Sequence, residues 1–139
     1  MGYSPSIYKF AGGADVPVPL DLELVQAVLE PFDVGDPGLR SDPGGCLQFW
    51  IRAGDGSEAE IFAGDTGILV ERPHSGGVFG IIAELMSRLG AVALDPGEGR
   101  IVCRAQEYAQ LPLGMRKDAV VIEMTGERLE AALLGRSPV

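Results

Sequence analysis

The sequence predicts an α+β fold: a mostly antiparallel sheet with two or three helices packed on one face, opening in a split βαβ-like order and closing with a strand and a helix. Three observations lead there. Short β-rich runs follow one another across Gly- and Asp-rich turns, which favours hairpins over strict strand–helix alternation. Two longer segments carry a single apolar stripe at helical spacing, so they can cover one face of a sheet. The chain has 139 residues, 46% hydrophobic and 22% charged, which suits one domain over 1–139 whose core needs no disulfide or metal staple.

Residues 6–11 alternate and are rich in β-branched and aromatic side chains, predicting a short strand before a Gly- and Pro-rich loop. Asp21 can cap a helix whose apolar positions Leu22, Val25, Leu29 and Phe32 recur at helical spacing, with Pro31 setting its end near Glu30. Residues 33–45, dense in Pro, Gly and Asp, form a long loop of the kind that is functional or mobile. Residues 47–53 read as a strand, and 58–63 with 67–71 as a hairpin about the 64–67 turn. A helix over 78–89 presents Val78, Ile82, Leu85 and Leu89 on one face and stops at Gly90. Residues 91–94 and 100–104 flank a Pro-Gly turn as a second hairpin, and 106–111 adds a helical turn. A β-rich run over 119–124 precedes a last helix opened by Thr125 and running to Leu134, with Gly135 as its stop.

Charge narrows the functional classes. With Asp and Glu at 20 against Lys and Arg at 11, the net charge is −9, and a phosphate backbone is repelled at long range. Nucleic acid is therefore not the expected partner, whereas a basic protein would be steered in. No apolar run approaches the ~18 residues of a membrane helix, and the first residues lack a signal-peptide pattern, so a cytoplasmic protein without membrane contact is expected. Cys46 and Cys103 sit in apolar surroundings outside any CxxC, as reduced buried thiols do. One histidine and no clustered cysteines leave no metal site, and no cofactor motif is present.

Two stretches are candidate sites. Strand alternation over 47–53 puts Gln48, Trp50 and Arg52 on one face and Phe49 on the other, so one aromatic side chain points away from the helices. Glu58 and Glu60, two apart on a strand, share a face as well, and with Gln48, Trp50 and Arg52 they make a candidate partner-binding surface. The plainer role for the two glutamates is to discourage edge-to-edge pairing. Arg72, His74, Ser75, Gly76 and Gly77 bring a cation, an imidazole, a hydroxyl and flexible backbone to a helix start, a candidate anion-binding segment. The glycines match no phosphate-binding motif, and the plainer reading there is a connection with Ser75 as helix cap. Glu127 and Glu130, three apart on a helix, are a further carboxylate pair, and the Asp55-Gly-Ser-Glu stretch reads as a turn.

Across residues 80–99 an amphipathic helix runs directly into a short strand and a Pro-Gly turn. This pattern resembles the small, acidic, single-domain α+β proteins of bacteria that are mostly uncharacterised, some of which look like immunity proteins of polymorphic toxin systems. The resemblance implies a partner that masks a toxin and no reaction, and it carries over no functional residue. The leading expectation is a non-enzymatic protein-binding module, in its specific form an immunity protein masking a basic toxin. The alternative is a small-molecule-binding domain or small enzyme using Arg72, His74 and Ser75, and the third is a structural homo-oligomer such as a homodimer formed through the sheet.

Overall fold

A computed structural model describes residues 4–35, 47–95 and 99–134. In chain order these form β1 (Ser6–Tyr8), α1 (Leu22–Leu29), β2 (Leu47–Arg52), β3 (Glu58–Ala63), β4 (Ile68–Glu71), α2 (Val78–Leu89), β5 (Val92–Leu94), β6 (Ile101–Cys103), α3 (Ala105–Tyr108), β7 (Ala119–Val121) and α4 (Gly126–Leu134), with 3₁₀ turns at Glu30–Phe32 and Leu113–Asp118. The architecture is α+β, as the hydrophobic patterning indicates. Most of the long loop expected over 33–45, the centre of the 95–99 turn, Cys46 and Gly135 lie outside the described residues.

The strands form one 7-stranded sheet in the order β2-β3-β4-β1-β5-β6-β7. Every neighbouring pair is antiparallel except β6 and β7, which are parallel. The split β-α-β unit lies later in the chain than its expected position at the start. Counting antiparallel neighbours across the sheet, β4 and β5 run parallel with β1 inserted between them, and α2 makes the crossover. The opening β1–α1–β2 passage instead joins antiparallel strands separated by β3 and β4. Local patterning misses this because β1 carries only three residues and no periodicity that names its neighbours.

Helices α1, α2 and α4 cover one face. Their apolar stripes, including Val25, Leu29, Phe79, Leu85, Leu129 and Leu133, join Ile7, Phe49, Ile51, Ile61, Val70 and Val102 from the sheet in one core. Burying these side chains from water is the main term holding the layers together. Asp21 caps α1 by accepting from the Leu24 N–H (3.2 Å), and Gly90 ends α2 in the left-handed conformation (φ 69°). At the start of α4, a Cβ on Gly126 would lie 2.6 Å from the Gly80 nitrogen, so a glycine there permits α4 to touch the backbone of α2.

Among the described residues, the other face is covered on one half only. Behind β1, β5 and β6, a second cluster of Phe10, Val92, Ile101, Cys103 and Leu111 packs under Tyr108 of α3 and Met115 of the second 3₁₀ turn. Burial pushes the Cys103 thiol up to about 11, with the nearby Glu107 charge adding to the shift, so this free cysteine is an unreactive packing group. Glu107 is itself buried, but Arg104 holds it through Nε (2.8 Å) and an Nη (2.7 Å) while also donating to the Ser87 carbonyl of α2. Over β2, β3 and β4 no helix of the described residues covers this face.

Candidate functional site

Alternation places Gln48, Trp50 and Arg52 of β2, Glu58, Glu60 and Phe62 of β3, and Leu69 and Glu71 of β4 on the uncovered face, opposite the buried Phe49, Ile51, Ala59, Ile61, Ile68 and Val70. The five residues expected to form a partner-binding surface are thus brought onto one face. Register orders them into rows. Arg52 pairs with Glu58, Trp50 with Glu60, and Glu60 in turn with Glu71 of the next strand.

Trp50 is 47% exposed, and its indole N–H donates to Glu58 Oε1 (3.0 Å). Arg52 Nε donates to Glu58 Oε2 (2.6 Å), and this bond, followed by the one from Trp50, holds the Glu58 carboxyl below its usual range. Glu58 therefore spends its charge within the chain and positions the indole. Glu71 accepts from the Ser4 hydroxyl (2.8 Å), while Glu60 is exposed and makes no side-chain hydrogen bond or ion pair among the described residues. Two carboxylates thus stand directly opposite each other with no cation among the described residues joined to either, an arrangement unfavourable in itself. Together with Arg72 and His74 they line a shallow cleft of about 260 Å³ beside Trp50.

The segment after β4 is built differently from expectation. From the Glu60–Glu71 pair, two steps along β3 reach Glu58 but three along β4 reach His74, which donates its N–H to the Glu58 carbonyl (2.9 Å) and accepts the Glu58 N–H at Nδ1 (3.2 Å). The extra residue is accommodated as in a β-bulge, because Pro73 has no N–H to pair and Arg72 takes a left-handed conformation (φ 43°). With Nδ1 accepting, the neutral imidazole carries its proton on Nε2.

Beyond His74 the five candidate anion ligands diverge. Arg72 and His74 face the cleft, whereas Ser75 donates its hydroxyl to Glu130 of α4 and the Gly76 N–H donates to the other Glu130 oxygen (3.0 Å). The Gly77 N–H donates to Asp55 Oδ2 (2.7 Å), and the Val78 N–H to the Ser57 hydroxyl (2.9 Å). The start of α2 is therefore already served by the chain's own carboxylates, and an incoming anion there meets Asp55 and Glu130. Ser75 is not the cap, since Gly77 occupies that position and Asp55 with Ser57, from the β2–β3 turn, caps from across the fold. The Ser57 hydroxyl bond, then the N–H groups of Gly77 and Ser57, lower the Asp55 carboxyl to about 2. Gly76 is needed at φ 130°, where a Cβ would also lie 2.6 Å from Asp55 Oδ2. Glu127 and Glu130 do not act as a pair, because Glu130 is turned to this strap and Glu127 is exposed.

Phe62, Leu69 and Glu71 are the face residues that sequence reasoning overlooks. The signal was available in the turn: the Gly64 N–H bonds the Gly67 carbonyl (2.8 Å), and counting back from that closure pairs Phe62 with Leu69 and Glu60 with Glu71. Among the described residues, no group of three or more His, Cys, Asp or Glu side chains is placed to hold a metal ion, and no helix is long and apolar enough to cross a membrane. No family model, curated protein or solved structure matches the chain.

Proposed function

We propose that this protein is a non-enzymatic binding module whose uncovered β2–β3–β4 face receives a basic protein partner. The observation that carries the reading is the Glu60–Glu71 pair, set in register beside a half-exposed tryptophan and joined to no cation among the described residues. A partner's lysine or arginine between the two carboxylates relieves their repulsion and gains contact with the indole, a combination typical of interface anchors. The net charge of −9 speeds such an encounter at low ionic strength. Masking a toxin, which the sequence resemblance implies, is the specific form of this role, and the net charge of −9 suits a basic one. The small-molecule alternative has less support, because a 260 Å³ open cleft is smaller than the ~300–1,000 Å³ pockets that enclose ligands.

The test is a comparative capture from the native lysate with tagged protein, wild type against Trp50→Ala combined with Glu60→Lys, at low and high salt. The expected result is a basic protein held in stoichiometric amount by the wild type, released by salt and absent from the variant, whose own activity the wild type then inhibits. Capture that ignores both substitutions would overturn the reading.

A further inference from the structure

The uncovered face holds a second depression, of about 390 Å³, between Tyr8, Phe62, Leu69 and the 64–67 turn. Gly67 makes room for it: a Cβ there would come within 2.7 Å of Tyr8 Cε1, so the absence of a side chain lets the ring lie over the turn. Phe62 and Leu69 are cross-strand partners, as Glu60 and Glu71 are. Along both strands the step from the acidic pair to the apolar pair is two residues in the same direction, towards the turn. Side chains two apart on a strand share a face and stand ~7 Å apart.

We infer that the partner segment is an extended stretch carrying a lysine or arginine and, two residues away, a large apolar side chain. This rests on the binding-module reading above and specifies what the face selects. An extended chain presents residues i and i+2 on one side with the same ~7 Å repeat as the sheet below it. Its cation then sits between Glu60 and Glu71 beside Trp50, and its apolar side chain lies over Phe62 and Leu69 against the Tyr8 ring. Charge complementarity selects a basic occupant over an acidic one. Within the chain itself the competitor is Arg72, whose exposed guanidinium lines the same cleft without a hydrogen-bond or ion-pair partner among the described residues.

The test uses the full chain labelled with ¹⁵N and three synthetic heptapeptides with Ser/Gly flanks, centred on Lys-Thr-Leu, Lys-Leu-Thr and Glu-Thr-Leu. The Lys-Thr-Leu peptide is expected to shift the Trp50 indole and the Phe62 and Leu69 amides, and to bind about tenfold more tightly than either of the others. Glu60→Gln with Glu71→Gln, both on the solvent side of the sheet, removes the preference for Lys over Glu, and Arg72→Ala tightens binding of the lysine peptides. Equal affinity for all three peptides overturns the inference. So do shifts confined to another surface, or a face already covered by a second copy of the chain in sedimentation experiments. If the peptides bind alike while capture of a basic protein still depends on Trp50, the spacing rule fails and the binding-module reading stands. If capture is also indifferent to Trp50, both fall.

Discussion

Replacing Ser57 by alanine tests whether α2 is started from across the fold. The Ser57 hydroxyl is buried, donates to Asp55 Oδ1 (2.6 Å) and accepts the N–H of the fully buried Val78 (2.9 Å). Alanine fills nearly the same volume but leaves the Val78 donor without a partner, which costs about 1–3 kcal/mol. The lost bond to exposed Asp55 is partly replaced by water and adds a smaller part, present only while Asp55 is ionised. For a chain of this size that corresponds to a fall in Tm of roughly 3–10 °C, read by calorimetry and by urea unfolding at pH 7. The cost is also pH-dependent. Asp55 has a folded value of about 2 against an ordinary 3.8, so its contribution is complete above about pH 4 and lost as pH falls towards 2. Because the Ser57 hydroxyl is the largest cause of that depression, the difference between wild type and Ser57→Ala shrinks as pH falls from 4 towards 2, leaving only the Val78 part. A variant as stable as wild type at pH 7, or a difference that grows in acid, would refute the reasoning.

Gly126→Ala drives a methyl group onto the backbone at Gly80 and is expected to cost about 1–3 kcal/mol in urea unfolding, whereas an exposed helix glycine replaced by alanine would gain stability. Leu129→Ala, at a side chain with no exposure in the α2–α4 seam, should cost about 2–5 kcal/mol by the same measurement. Glu84→Ala, which breaks only an exposed pair with Arg88 (3.3 Å), should change stability by less than ~0.5 kcal/mol. Trp50 is the chain's single tryptophan, so its fluorescence reports the uncovered face directly. Its emission should change with a midpoint below 4.5 as Glu58, stabilised as a carboxylate, is protonated, and Glu58→Gln should abolish that transition.

What the sequence made legible was whatever its own neighbours determine. Helix α2 could be read to its last residue because Val78, Ile82, Leu85 and Leu89 repeat within it and Gly90 stops it. The uncovered face was half legible, since alternation within β2 alone sorts Trp50 from Phe49. Its acidic row was not, because Glu60 meets Glu71 only through the hairpin register. The start of α2 misled for a related reason: Arg72 to Gly77 resembles an open anion site until Asp55 and Glu130, distant in the chain, arrive to fill it. The place of β1 was invisible, as three residues carry no record of the strands on either side.

That placement bears on how the protein is made. β1 leaves the ribosome before either strand it will join, yet it is the strand that seams β2–β3–β4 to β5–β6–β7 in the sheet. One edge of β1 must wait for residues 68–69 and the other for residues 92–94. Sheet closure therefore comes after the β2–β4 meander and the β1 strand that borders it have been made, when the other edge of β1 still awaits β5. A nascent chain halted before residue 92 holds an incomplete sheet whose β1 has one partner, and it is in that interval that the exposed strand edges are most open to capture by a chaperone or by another copy of the same chain.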